Sequence, residues 1–266
     1  MDEDLYRAPA ALAPRRPWWL RLSGLLVLPL GVGAYAIVLS AMLTTRNPNL
    51  FPTLLLIGAI TVPLSVLLVS YVMGPRPDGH SGLVALTAVV GGAIGTTAAS
   101  VLEYSTLRQM PALGMLAVGF IEEAVKLVMP LLVFLVARRR TEGLGVVLGV
   151  ASGMGFAVLE TMGYGFTALI SSGGNVAAVD QTLLLRGLLS PAGHVAWTGM
   201  VTAALWRLGA VPPRRHAGLL FVGAFLLAVL LHTLWDGAAT VALHVGIAGI
   251  SVAILLGLVI PSRLRR

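Results

Sequence analysis

Gly119-Phe120-Ile121-Glu122-Glu123-Ala124-Val125-Lys126-Leu127-Val128-Met129-Pro130 sets two adjacent carboxylates and an ammonium inside an apolar run of membrane-spanning length. A charged side chain at the centre of a bilayer helix is disfavoured by roughly 2.5–3.5 kcal/mol on insertion scales, so three together need partners. Later apolar runs hold four more such groups, Glu160, His194, His232 and Asp236. Composition shows why lipid is the solvent that matters. The 266 residues are 57% hydrophobic and 11% charged, with a mean hydropathy of +0.92, which excludes a soluble domain. The chain is therefore read as a polytopic membrane protein with no signal peptide, because its first apolar run outlasts a signal h-region and has no small-residue cleavage site. With no cysteine, disulfides, Cys-ligated zinc and thiol nucleophiles are excluded. The net charge of +7 comes from arginines spread over short loops and both ends, a pattern of membrane topology and anionic headgroups rather than of nucleic-acid binding.

Residues 1–19 are polar, rich in proline and of mixed charge, and are read as a flexible or interfacial segment ending at the Trp18-Trp19 belt. Residues 20–266 are read as one transmembrane domain. Its apolar runs fall at about Leu20–Thr44, Pro52–Met73, Leu83–Leu102, Ala112–Val136, Leu144–Ile170, Thr182–Trp206, Gly218–Trp235 and Ala239–Ile260. Each is near the ~20 residues a spanning helix needs. The fold class is thus an all-α bundle of about eight transmembrane helices. Arginine placement tests the number: with the N-terminus inside, fourteen of the seventeen arginines fall on cytoplasmic segments, leaving only Arg46, Arg108 and Arg186 outside. Both termini are then cytoplasmic. Gly91 with Gly95, and the ladder Gly145, Gly149 and Gly153, have the spacing that lets membrane helices approach closely. The ladder leads along one helix face towards Phe156, read as packing, and Glu160.

In this topology the seven polar groups lie at comparable depths, between the midplane and the outer leaflet. Residues four apart share a helix face, so Glu122 can pair with Lys126, the one lysine, and Asp236 can orient His232. Glu123 and Glu160 must look to other helices. With four ionised carboxylates, one ammonium and neutral histidines the cluster carries a formal charge of −3, untenable in lipid without compensation. Protonated carboxylates, protonated histidines or a bound cation such as Zn²⁺ would each provide it, and each implies chemistry: acid–base exchange, or a metal with an activated water. Lys126 and Asp236 are read as charge-balancing or orienting groups. Glu103, Asp180 and Arg186 near helix ends are read as interfacial, and His80, His216 and His244 are given no role.

Glu122-Glu123-x-x-Lys126, Phe156-x-x-x-Glu160, His194 and His232-x-x-x-Asp236 resemble, in order and spacing, the four motifs of PrsW-type intramembrane proteases, within the superfamily of CAAX prenyl endopeptidases and bacteriocin-processing proteins. The lysine in the first motif, and glutamate rather than histidine in the second, favour the PrsW branch. The matched part covers about residues 112–240, the catalytic half. The resemblance implies hydrolysis of a peptide bond in a membrane-associated protein, anti-sigma factors being a precedent, in a bacterial or archaeal cell membrane. Carried onto this chain, it makes Glu122 the first choice of general base and Glu123 the second. Glu160 would hold the water or a metal, while His194 and His232 bind metal or stabilise the oxyanion. Zn²⁺ on Glu160, His194 and His232 is one arrangement; direct action of Glu and His without metal, as in related members, is the other, and no His-Glu-x-x-His helix is present.

Two rival functions are compatible with buried acids and histidines. A non-catalytic scaffold subunit would resemble a component of presenilin-type protease complexes in the same superfamily, but the complete set of acids and histidines argues against a lapsed site. A proton-coupled transporter would use the same groups, yet no internal repeat of charged motifs and no paired broken helices accompany them.

Overall fold

The computed structural model describes residues 18–73, 80–137, 142–209 and 215–260. The polar lead-in before Trp18, and arginines 76, 138–140, 214, 263, 265 and 266 of the topology argument, lie outside the described residues. Those residues form α1 (Trp18–Thr45), α2 (Phe51–Met73), α3 (Ser81–Gln109), α4 (Gly114–Lys126), α5 (Val128–Val136), α6 (Glu142–Ser171), α7 (Val176–Leu189), α8 (His194–Leu208), α9 (Ala217–Asp236) and α10 (Val241–Val259), with no strand among them. Six of these, α1, α2, α3, α6, α9 and α10, are long and apolar enough to cross a membrane alone. The other four make two broken pairs, so the eight apolar runs persist as eight units and the bundle is all-α.

The two breaks correct the expected continuous helices at Ala112–Val136 and Thr182–Trp206, and with them the expectation that the chain has no paired broken helices, which no longer counts against a transporter. In the first, Pro130 has no N–H to give the carbonyl of Lys126, four residues earlier, and its ring crowds that carbonyl. The helix is interrupted at Leu127, whose N–H turns back to Ala124 O at 3.1 Å. The freed Lys126 carbonyl accepts from Ser152 Oγ of α6 at 2.6 Å, which meets the membrane's demand that every backbone group be satisfied. In the second, a single 3₁₀ turn at Ser190-Pro191-Ala192, followed by Gly193, separates α7 from α8. His194 is therefore the first residue of α8 rather than lying partway down a long helix. α7 begins at Val176, earlier than expected, capped by the Asn175 side chain, which accepts from Ala177 N–H at 3.0 Å. Between α6 and α7 the chain turns through Gly173 and Gly174 at φ 66° and 92°, a region open to glycine without strain.

α6 is the most buried of the six spans and α1 the least. The reason is its glycines, since in lipid helices associate through close packing rather than through hydrophobic expulsion from water. Gly145, Gly149 and Gly153 all face α8: a Cβ at Gly149 would stand 2.6 Å from Thr198 O, and one at Gly153 would collide with His194 O. These partners run in reverse order, so α6 and α8 are antiparallel. On another face α6 meets α3, where Gly91 lies against Ser152 and Gly95 against Phe156, in the same order and hence parallel. Gly155, not anticipated, packs against the Ala88 carbonyl so closely that no side chain fits. α9 closes against α4, where Gly119 faces Val229 and Thr233, and α10 is pinned to α8 by the Trp197 indole N–H donating to Ser251 Oγ at 2.8 Å.

Candidate functional site

Four helices bring the seven anticipated groups together around Lys126, which is fully buried. Its Nζ lies 2.8 Å from Glu123 Oε1, 3.1 Å from Glu122 Oε2 and 2.7 Å from His194 Nδ1, and 4.3 Å from the ring centre of Phe156. The position of Phe156 four residues before Glu160 thus serves more than packing, because its π face meets the ammonium. Glu123, expected to find partners only on other helices, is held first by Lys126 three residues on in its own helix, and it also reaches α9, where His232 Nδ1 stands 2.9 Å from Glu123 Oε1. His232 Nε2 faces Asp236 Oδ2 at 3.3 Å and Glu122 Oε2 at 3.5 Å. The two imidazole rings meet edge to face at 5.1 Å, with Trp197 packed against both.

Glu160 is not beside Glu122's cation but on the far side of His194, whose Nε2 lies 2.9 Å from Glu160 Oε2. Arg186 of α7 completes this arm, with Nη2 2.7 Å from the same oxygen and its guanidinium stacked 3.7 Å over the Tyr164 ring. Arg186 corrects its reading as an interfacial residue without a role. Its signal lay in the sequence, as an arginine inside an apolar run, but the run was read as one helix starting at Thr182, which hid that Arg186 lies in the last turn of α7 beside the break. Asp180, also read as interfacial, accepts from the Tyr35 hydroxyl at 2.5 Å and ties α7 to α1. With Arg186 counted, the cluster carries a formal −2 when the histidines are neutral, which one divalent cation would balance.

Among the described residues, the group whose ligand atoms all lie within 4.8 Å of one another is Glu122, His194 and His232. Glu160, expected in the trio, lies on the other side of His194, with its Oε2 against Arg186 and His194. One carboxylate and two histidines are a known ligand set for catalytic zinc. Glu122 Oε2, like one oxygen each of Glu123 and Glu160, is buried and accepts no hydrogen bond, although Lys126 Nζ stands 3.1 Å away; oxygens of this kind are satisfied by a cation. The residues fit a divalent metal, provided Lys126 yields its place on whichever of these atoms is taken.

Two clefts with different linings reach the cluster. One, of ≈ 90 Å³, lies between α6, α7, α8 and α9 and is mostly apolar, lined by Leu185, Leu189, Trp197 and Trp235 with Arg186 and His194 at its base. The other, of ≈ 320 Å³, lies between α3 and α6 and is polar, with Thr96, Ser100, Glu103, Tyr164, Glu160 and Glu122 in its walls. His244, outside both, meets Trp235 edge to face and donates through Nδ1 to Thr240 O at 3.0 Å.

Comparison with known proteins adds one finding. No curated protein and no solved structure shows significant similarity to the chain. The sequence profile described as PrsW family intramembrane metalloprotease matches residues 79–261, from before α3 to beyond α10 and well over half of the chain. Buried acids and histidines on four helices and this match lead to one conclusion: the chain belongs to the PrsW family of intramembrane metalloproteases.

Proposed function

We propose that this protein cuts a peptide bond of a membrane-associated protein, of which an anti-sigma factor is the precedent class, at a site in the outer half of the bilayer with both termini in the cytoplasm. The observation that carries the reading is Glu122: it is 6% exposed, lines the polar cleft and has both histidines on its Oε2. Every ion-pair contact of Glu122 among the described residues runs through Oε2, which leaves Oε1 to take a proton. Glu123 is the weaker candidate, because its Oε1 is shared by Lys126 and His232 and it lines neither cleft. Glu123 and Asp236 instead hold the His232 ring from both nitrogens.

In the reaction a water in the polar cleft gives a proton to Glu122 as its oxygen bonds to the scissile carbonyl carbon. The C–N bond then breaks, and the same proton passes from Glu122 to the leaving nitrogen, giving a carboxylic acid and an amine. The developing oxyanion needs donors. His194 keeps its proton on Nε2, because Nδ1 accepts from the Lys126 ammonium; that proton faces Glu160 Oε2 at 2.9 Å in the resting site and serves the oxyanion once it is shared with it. Glu160 and Arg186 fix the His194 ring, with Tyr164 supporting the guanidinium. A Zn²⁺ held by Glu122, His194 and His232 would supply Lewis acidity to the carbonyl and lower the pKa of a bound water. The apolar cleft beside Trp197 and Trp235 suits the side chains of an unwound membrane segment.

Cleavage of a single-pass membrane substrate by the purified protein in lipid vesicles tests the reading. Wild-type protein should cut, and Glu122→Gln should not. Equal cutting by both would remove Glu122 from the chemistry. Specific substrate binding without any cutting would favour the scaffold.

A further inference from the structure

The parallel packing of α3 on α6 rests on glycines up to Gly95, which lies against Phe156. Beyond that level both helices carry larger residues, and the wedge between them is the polar cleft. Thr96, Ser100 and Glu103 follow at spacings of four and three and so share one face of α3. The Thr96 and Ser100 hydroxyls donate back to the carbonyls of Gly92 and Thr96, each at 2.9 Å, and have lone pairs to spare. Glu103 Oε1 is buried and has no hydrogen-bond partner among the described residues. Its carboxyl lies within electrostatic reach of Glu122 and Glu160. A protein that leaves a carboxylate oxygen unpaired at membrane depth leaves it for water, since lipid offers no donor. The cleft has room for several waters, it ends on the nine-tenths-buried Glu122, and both its walls run towards the C-terminal ends of α3 and α6.

We propose that the α3–α6 cleft is the water inlet of the hydrolytic site, and that Glu103 is a positioning residue that orients incoming water towards Glu122. The inference rests on the hydrolytic reading for the role of Glu103, but the inlet can be tested without it. The apolar cleft then takes substrate, so that water and peptide approach the cluster through different clefts.

The chain has no cysteine, so single cysteines can be introduced without any other change. Ser100→Cys and Thr167→Cys line the cleft, whereas Val101→Cys points outwards on the same helix. In lipid nanodiscs a charged, membrane-impermeant thiosulfonate should label the two cleft positions roughly tenfold or more faster than Val101→Cys, because thiolate forms only where water reaches. Equal rates at all three would overturn the inlet. In a cleavage assay Glu103→Gln should lower kcat by about tenfold with KM nearly unchanged, and Glu103→Asp should recover part of the loss. An unchanged kcat, or a loss confined to KM, would overturn the positioning role. Fast cleft labelling in a protein that cuts nothing supports the inlet and counts against the protease reading alone.

Discussion

Lys126 Nζ stands 2.7 Å from His194 Nδ1, an ammonium bound to an imidazole across two helices. An ammonium can only donate, so Nδ1 is an acceptor and the proton of a neutral ring sits on Nε2, where Glu160 Oε2 lies 2.9 Å away. One lysine thereby balances Glu122 and Glu123 and sets the tautomer of a histidine on another helix. Its location follows from the break at Leu127: the helix carrying the Glu-Glu pair ends with Lys126, and Ser152 takes up the carbonyl that Pro130 cannot serve.

Replacing Lys126 by Met keeps the length of the side chain and removes the charge. Two buried carboxylates are then stranded, a change that typically costs about 3–5 kcal/mol. The expected result is a sharp fall in yield and in melting temperature in detergent. A stable, abundant Lys126→Met protein would contradict the charge-balancing role.

Glu122 and Glu123 are neighbours with different surroundings, and their amide variants should separate. Glu122→Gln loses cleavage by roughly 10²–10⁴-fold while melting closer to wild type than Glu123→Gln, because Lys126 keeps Glu123 as its hydrogen-bonded counter-charge. Glu123→Gln weakens contacts to Lys126 and His232 together, so it lowers melting temperature as well as rate. Identical behaviour of the two variants would show that the pair acts as one unit.

The ligand set makes a distinct claim about metal content. Elemental analysis of purified protein should find about one zinc per chain, removable by a strong chelator. Glu122→Gln and His232→Ala should lose it, whereas Glu160→Gln, whose carboxylate is turned to Arg186, should retain it. Retention in Glu122→Gln and loss in Glu160→Gln would restore the trio of Glu160, His194 and His232.

The parts of the site legible in the sequence are those with helical spacing. Glu122 with Lys126, and His232 with Asp236, are partners four apart, and charge in lipid allowed few alternatives to a shared pocket. The glycine ladder was legible for the same reason, since small residues at intervals of four form a stripe that a neighbouring helix can use. What spacing does not reveal is a break. Proline is common within membrane helices, and only the packing shows whether the carbonyl it frees finds a donor such as Ser152. Gly155 was missed because it stands off the ladder, on the face towards α3, with no glycine four residues before or after it.

Arg186 shows what a misplaced boundary hides, and it supplies the last test. With one helix from Thr182 to Trp206 it sits near the start, where arginine is ordinary; in the structure it falls in the last turn of α7, just before the break to α8, 2.7 Å from Glu160 and stacked on Tyr164. Its planar fork serves both contacts, which lysine cannot reproduce. Arg186→Lys should therefore behave much like Arg186→Gln, each lowering kcat by roughly 10–100-fold through a His194 ring no longer held by a fixed Glu160. The discriminating readout is rescue: Arg186→Gln combined with Glu160→Gln removes both partners of this partly exposed ion pair and should recover melting temperature without recovering rate. Recovery of both would mean that the pair only maintains the fold. Recovery of neither would mean that Arg186 does not act through Glu160.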